Sequence, residues 1–98
     1  MITDIVGYSK LSGDNQDLAL ELLKEHDKIL LSSIKQYNGS ILKNRGDGVI
    51  VQFDIPSNSI ESAVNIQRKL KKRNKLNIKS RQLQVRIGIH NGEYVKDG

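Results

Sequence analysis

Two aspartates, Asp4 and Asp47, are the residues of this sequence whose types and surroundings suggest chemistry. Asp47 lies in Gly46-Asp47-Gly48, and the runs on either side of this triplet are rich in β-branched and apolar residues. The pattern predicts a β-hairpin over residues 40–53 with Asp47 at its tip. A glycine-flanked aspartate in a turn is usually structural, because Asp and Gly tolerate positive φ. A functional interpretation therefore needs the second carboxylate, Asp4, near the same place.

The elements that must position these carboxylates follow from hydrophobic periodicity. Residues 1–6 have the composition of a short strand, and residues 7–13 that of a Gly/Ser-containing loop. Asp14 is placed to cap the next helix, in which apolar side chains recur every three or four residues from Asn15 to Tyr37. Asn38-Gly39 then predicts an αL C-cap for this helix.

The second half of the chain predicts one more helix and one more strand. Pro56 suits the first turn of a helix, with Asp54 or Ser57 as its cap. Its predicted inner face consists of Ile60, Ala63, Val64, Gln67 and Leu70. Residues 83–90 alternate apolar and polar side chains, as a half-buried strand does. Residues 91–95 bring a turn and then either an extension of that strand or another one.

The resulting order, β-α-β-β-α-β, predicts an α+β fold, a ferredoxin-like antiparallel sheet with two helices on one face. Right-handed crossovers place the first strand beside the third, with neighbouring strands about 4.8 Å apart. Asp4 and Asp47 should then meet at one edge of the sheet. Two carboxylates in a chain without cysteine favour hard cations such as Mg²⁺ or Mn²⁺. Two such ions about 3.5–4 Å apart are a template for in-line phosphoryl chemistry.

Composition and charge narrow the remaining classes of protein to which the chain could belong. The 98 residues make one small domain, and we expect neither a membrane span nor a secretory leader. The absence of cysteine fits an intracellular, cytoplasmic setting. Charge is asymmetric, because residues 1–61 carry six Lys/Arg and nine Asp/Glu whereas residues 62–98 carry ten and two. Residues 68–81 hold eight basic residues and no acidic one, and we expect them to form a helix end and an exposed connection.

Three blocks of the sequence resemble the opening half of a class III nucleotidyl (adenylate/guanylate) cyclase catalytic domain. They are Thr3-Asp4-Ile5-Val6-Gly7-Tyr8-Ser9, Lys43-Asn44-Arg45-Gly46-Asp47-Gly48 and Val85-Arg86-Ile87-Gly88-Ile89-His90-Asn91-Gly92-Glu93. All three occur in the family's order with family-like spacing, and together they cover essentially the whole chain. The resemblance implies a palm-type ferredoxin-like core, with residues 1–98 as the N-terminal portion of the catalytic domain.

The resemblance also implies roles for individual residues. Asp4 and Asp47 match the two catalytic, metal-binding aspartates that hold two Mg²⁺ or Mn²⁺ ions, and Ile5 matches the position that lends a backbone carbonyl. The loop from Ile5 to Ser9, with Gly7, Tyr8 and Ser9, matches the segment whose amides hold the triphosphate. Lys43 matches the lysine that reads adenine, where the guanylate type usually carries an acidic residue. The choice of ATP over GTP depends on Lys43 alone.

The implied reaction is attack of the ATP ribose 3′-hydroxyl on the α-phosphorus, which forms cyclic AMP for intracellular signalling and expels pyrophosphate. The family continues beyond the position of Gly98 with a second purine-reading residue, an Asn that positions the ribose and an Arg that stabilises the transition state. Its active site forms between two head-to-tail cyclase domains, in a homodimer or with a partner domain. We therefore expect residues 1–98 to supply only the metal-binding half of the active site and to be inactive alone. Ile2 stands where the family usually has Phe.

Other functions remain open at this point. Residues 68–81 would suit a basic ferredoxin-like RNA-binding module, but the first strand lacks aromatic residues and the third offers only Phe53. We expect no nucleic-acid partner, and membrane contact only through domains outside this sequence. A non-catalytic cyclase-like dimerisation module is a further alternative. His26 and His90 are expected to be structural, His26 packed and hydrogen-bonded in the core, and Tyr8 to pack beneath the phosphate loop.

Overall fold

The computed structural model describes residues 1–90 of the chain. Its elements are β1 (Ile2–Ile5), α1 (Tyr8–Asp14), α2 (Gln16–Gln36), β2 (Gly39–Asn44), β3 (Val49–Phe53), α3 (Pro56–Lys75), a 3₁₀ turn (Lys79–Arg81) and β4 (Val85–Gly88). The four strands form one sheet in the order β2-β3-β1-β4, and each neighbouring pair is antiparallel. This is the ferredoxin-like arrangement that the sequence predicts. The expected elements in residues 91–95 lie outside the described residues.

The region between β1 and the long helix differs from the prediction. The expected loop over residues 7–13 is largely helical, because α1 begins at Tyr8. Asn15, rather than Asp14, caps α2, and its side chain accepts a hydrogen bond from the Leu18 amide at 3.1 Å. The glycine and serines of α1 suggested a loop, but its Tyr8 and Leu11 side chains pack against the core. At the other end of α2, Asn38 adopts φ 60°, which confirms the predicted αL stop.

The second predicted helix is correct in position and wrong in detail. Ile55 occupies the N-cap of α3 without a capping side chain, so neither Asp54 nor Ser57 is the cap. Pro56 stands in the first turn as predicted. The buried face of α3 consists of Ser59, Ser62, Ala63, Ile66 and Leu70. Ile60 and Val64, which the sequence assigned to that face, are about half exposed. The buried face includes small serines instead, and hydropathy alone does not select serine for a buried face.

The core lies between the sheet and the two long helices. Thr3 and Ile5 of β1 are buried on the same face of the sheet, since side chains alternate along a strand. Where α2 meets α3, the Ser33 hydroxyl lies 3.0 Å from the Ser62 hydroxyl and 3.1 Å from the Ser62 carbonyl, so these two buried hydroxyls are paired. His26 is almost fully buried, and its Nδ1 lies 2.9 Å from Asp27 Oδ1, which confirms the packed histidine.

The basic segment is anchored to the acidic face of α2. Arg73 pairs with Glu25, and Arg81 Nη1 lies 3.1 Å from Glu21 Oε2. Residues 68–81 are the end of α3 and an exposed connection, as predicted, and the ion pairs with α2 are an addition that the sequence did not predict. Within residues 1–90, no helix is both long and apolar enough to cross a membrane.

Candidate active site

The turn that carries Asp47 is fastened to the end of β1 by three hydrogen bonds. The Ile5 amide donates to the Asp47 carbonyl at 2.9 Å, and the Val49 amide donates to the Thr3 hydroxyl at 3.1 Å. The Arg45 guanidinium reaches across the turn and donates to the Thr3 carbonyl at 2.7 Å. The tip of the hairpin is thus held against the segment that contains Asp4.

Glycine is required at two positions of this turn for different reasons. Gly46 adopts φ 89°, a left-handed conformation that side chains disfavour, and its amide donates to Asn44 Oδ1 at 2.9 Å. Gly48 instead packs directly on the backbone of β1. A Cβ at Gly48 would lie 2.8 Å from the Thr3 carbonyl carbon and 3.0 Å from Asp4 Cα. The two predicted metal-binding segments therefore approach as closely as their backbones allow.

Asp4 points away from the helices. Its neighbours Thr3 and Ile5 are buried on the helix side, so Asp4 lies on the open face of the sheet, with its side chain 36 % exposed. Directly opposite on β4 is Arg86, whose Nε lies 3.0 Å from Asp4 Oδ1 and whose Nη2 lies 3.5 Å from Oδ2. Arg86 is 73 % exposed. This partner could not be predicted from the sequence, because only the β1–β4 register brings together residues 82 positions apart in the chain.

Lys43 lies on the same open face as Asp4. It is opposite Ile50 on β3, which is opposite Ile2 on β1, and directly opposed residues in antiparallel strands share a face. Ile2 and Asp4 are two residues apart and also share a face. Lys43 and Asp4 are therefore two strand spacings apart across the sheet, about 10 Å, and two residues apart along it, about 7 Å.

In the predicted phosphate loop, Ile5 to Ser9, fewer amides are available to an anion than the sequence block suggests. The Ile5 amide is used by Asp47 and the Val6 amide donates to the Gln84 carbonyl at 2.8 Å, so neither is available to an anion. Gly7 takes φ 73° and is the N-cap of α1, so Gly7, Tyr8 and Ser9 are the part of the block whose amides precede or start a helix. Tyr8 is half-buried and packs against the core.

The oxygen atoms of Asp4, Asp47 and the Ile5 carbonyl are of the type that suits a hard cation, if most of its other ligands come from a nucleotide and water. Among residues 1–90, no group of three or more His, Cys, Asp or Glu side chains is arranged to hold a metal ion. Two carboxylates and a backbone carbonyl are nonetheless the kind of oxygen ligands that Mg²⁺ accepts, when nucleotide phosphates and water complete its octahedron. Asp4, Asp47 and Ile5 thus fit a metal bound together with its nucleotide better than a site preformed by protein alone.

Tyr8 and Phe53 do not form a base-stacking platform. Phe53 is half-buried, and its ring lies within 3 Å of the position that a Cβ at Gly39 would take. Tyr8 and Phe53 both pack against the core. His90 follows β4 and is exposed, so the structure gives no packing role to this residue within the described part of the chain.

Comparison with known proteins agrees with this architecture. The family model described as "Adenylate and Guanylate cyclase catalytic domain" matches residues 1–97, and the chain belongs to this family. It is 30 % identical over 94 residues to "Serine/threonine-protein kinase pkn2" of Myxococcus xanthus, an alignment that covers 95 % of this chain and 11 % of that protein. It is 28 % identical over 94 residues to "Putative adenylate cyclase 3" of Rhizobium meliloti (strain 1021), covering 95 % of this chain and 16 % of that protein. The chain therefore spans less than a fifth of the length of these curated relatives.

Proposed function

We propose that these residues form the metal-binding half of a class III nucleotidyl cyclase active site that converts ATP to 3′,5′-cyclic AMP and pyrophosphate in an assembled dimer. The observation that carries the proposal is the direct contact between the two aspartate segments, in which the Ile5 amide bonds the Asp47 carbonyl at 2.9 Å and Gly48 packs on Thr3. Residues 42 positions apart along the chain meet at one end of the sheet, as a shared site requires.

In this proposal each residue has a physical task. Asp4, Asp47 and the Ile5 carbonyl would hold two Mg²⁺ or Mn²⁺ ions, which supply charge neutralisation for the triphosphate and activation of the ribose hydroxyl. The amides of Gly7, Tyr8 and Ser9 would donate hydrogen bonds to phosphate oxygens. Lys43, on the same face as Asp4, would read the purine edge and favour ATP over GTP. These groups contribute positioning and electrostatic stabilisation.

Asp4 must change partner for this function. Its carboxylate is paired with the Arg86 guanidinium, so a metal ion competes with a positive charge already at the site. Because Arg86 is 73 % exposed, its side chain has room to leave Asp4 without disturbing the core. An exposed pair of this kind contributes about 0.2–1 kcal/mol, which a divalent ion with bound nucleotide can exceed.

The test is binding of Mn²⁺, measured by electron paramagnetic resonance in the presence of a non-hydrolysable ATP analogue. Asp4→Asn and Asp47→Asn keep the size of each side chain and remove its charge, and each should weaken Mn²⁺ binding at least tenfold. Asp54→Asn is the matched control, because Asp54 is exposed in the connection after β3 and should have no effect. Unchanged Mn²⁺ affinity in both site variants would refute the metal role and leave the non-catalytic dimerisation module as the better interpretation.

Activity requires groups that these 98 residues do not supply in the family pattern. We expect the purified chain to form no appreciable cyclic AMP from ATP and Mn²⁺, because the transition-state donors come from another segment or subunit. A second prediction separates this from simple misfolding, since Mn²⁺ binding should persist while turnover is absent. Cyclic AMP production by the purified chain at enzyme-like rates would contradict the expectation.

A further inference from the structure

The connection between α3 and β4 exposes two large aliphatic side chains. Leu76 is 83 % exposed and Ile78 is 69 % exposed, the highest values among the large hydrophobic residues of the described chain. Leucine and isoleucine are usually buried, and an isolated exposed one needs no explanation. Two of them, separated by one residue at the end of a helix, form a protruding apolar tip. We call residues 76–79 the α3–β4 tip.

The exposure of this tip is fixed by its polar neighbours. The Asn77 amide donates to the Asn74 carbonyl at 3.1 Å, and its side chain donates to the Arg73 carbonyl at 2.9 Å. The Asn74 side chain bonds both the amide and the carbonyl of Leu83, at 2.9 and 2.8 Å. Polar side chains thus turn inward and hold the backbone, while the aliphatic ones face solvent. This is the reverse of the ordinary arrangement, in which aliphatic side chains are buried and polar ones face solvent.

Positive charge surrounds the tip. Arg73 and Arg81 are paired with Glu25 and Glu21 of α2. Lys72, Lys75 and Lys79 are exposed, and within residues 1–90 none of the three has an acidic partner. Lys72 and Lys75 lie in the last turn of α3 and Lys79 closes the tip, so the three lysines flank both aliphatic side chains along the chain.

We propose that the α3–β4 tip binds an anionic lipid surface, with Leu76 and Ile78 inserted at the boundary between headgroups and acyl chains. Lys72, Lys75 and Lys79 contact the anionic headgroups, since basic residues flanking an apolar surface are the pattern of interfacial membrane binding. Aliphatic side chains provide no ring on which a nucleic-acid base stacks, and they protrude rather than line a groove, so a lipid surface fits them better than RNA or a protein. The contact belongs to this domain itself, in contrast to the expectation from the sequence that only other domains reach a membrane, and it does not depend on the cyclase proposal.

The experiment is flotation of the 98-residue chain with lipid vesicles. We expect binding to vesicles of phosphatidylcholine mixed with anionic phosphatidylglycerol and none to pure phosphatidylcholine. Replacing Lys72, Lys75 and Lys79 by Gln should lower the partition coefficient about a hundredfold, at about fivefold per lysine near an anionic surface. Replacing Leu76 and Ile78 by Gln should lower it at least tenfold.

Matched controls lie on α2. Leu20 and Leu31 are also exposed, at 48 % and 47 %, and their replacement by Gln should leave vesicle binding unchanged. Gln at Lys24, Lys28 and Lys35 removes the same net charge as the tip lysine variant and should lower binding less than threefold. Far-UV circular dichroism verifies the fold, and the single Leu76→Gln variant serves if the double variant unfolds.

Three results would overturn the proposal. One is the absence of binding to the anionic vesicles. Another is equal loss in the α2 and tip variants, which would mean that net charge alone attracts the chain. The third is retention of full binding after Leu76 and Ile78 are replaced. A single-stranded RNA titration is run in parallel, and tight RNA binding at physiological salt that depends on the tip lysines but not on Leu76 would assign the surface to nucleic acid instead.

Discussion

Gly48→Ala should be the most damaging Gly→Ala substitution within residues 1–90, because Gly48 lies directly on the backbone of β1. The new Cβ would lie 2.8 Å from the Thr3 carbonyl carbon and 3.0 Å from Asp4 Cα. Carbon atoms in contact are normally about 3.5 Å apart or more. The hairpin would therefore have to move away from β1 by at least about 0.7 Å. The neighbouring atoms belong to the backbone and cannot rotate away.

That movement strains the bonds that fasten the turn to β1, from the Ile5 amide to the Asp47 carbonyl and from the Val49 amide to the Thr3 hydroxyl. Overpacking in a well-packed region costs about 1–3 kcal/mol. Each strained bond adds about 0.5–1.5 kcal/mol. We expect a loss of about 2–6 kcal/mol in the free energy of unfolding, which corresponds to a fall in Tm of roughly 8 °C or more for a domain of this size.

The assay is urea denaturation followed by far-UV circular dichroism, with two other glycines as controls. Gly13 is inside α1 with open space at its Cβ position, so Gly13→Ala should stabilise the protein by about 0.5–1 kcal/mol. Gly46 also has open space but adopts φ 89°, so Gly46→Ala should cost about 1–2 kcal/mol. If Gly48→Ala destabilises no more than Gly46→Ala, the hairpin does not pack on β1 as closely as described above. Mn²⁺ binding by the folded fraction of Gly48→Ala should also weaken.

Two further substitutions test the same end of the sheet. Thr3→Val removes the buried acceptor of the Val49 amide and should lower the free energy of unfolding, measured by urea denaturation, by about 1–3 kcal/mol. Thr3→Ser keeps the hydroxyl and should lower it by only about 1 kcal/mol. A Val variant more stable than the Ser variant would contradict this. Arg86→Gln removes the cation that competes for Asp4 and should raise Mn²⁺ affinity by up to about fivefold, with Arg68→Gln on α3 as the control. A lower Mn²⁺ affinity in Arg86→Gln would mean that Arg86 orients Asp4 rather than competing for it.

Local signals in the sequence were sufficient for the order and type of the main elements. The spacing of apolar residues predicted α2, and Asn38 stops it in the left-handed conformation that its side chain tolerates. Gly46-Asp47-Gly48 predicted the hairpin turn between β2 and β3. Handedness rules then led from this order to the observed strand order. These predictions succeed because each depends on residues close together in the chain or on chirality.

The predictions failed where the burial of side chains decides the local structure or which face of a helix points inward. α1 was expected to be a loop, because its seven residues include a glycine and two serines, and only packing of Tyr8 and Leu11 on the core makes it a helix. The inner face of α3 was also misassigned. It includes Ser62, which is buried by its bond to Ser33 on another helix, while Val64 remains exposed. Hydropathy cannot indicate that a polar residue has a buried partner.

The sequence by itself indicated which residues are candidates for chemistry, since the blocks around Asp4 and Asp47 resemble those of the adenylate/guanylate cyclase family, to which the chain belongs. Only the tertiary structure decided how the segments that carry them meet. The register of β1 against β4 pairs Asp4 with Arg86, and the absence of a side chain at Gly48 lets the Asp47 turn rest on Thr3. Both contacts join residues more than 40 positions apart. They depend on which backbone atoms come within hydrogen-bond distance after folding, and no local pattern in the chain encodes that.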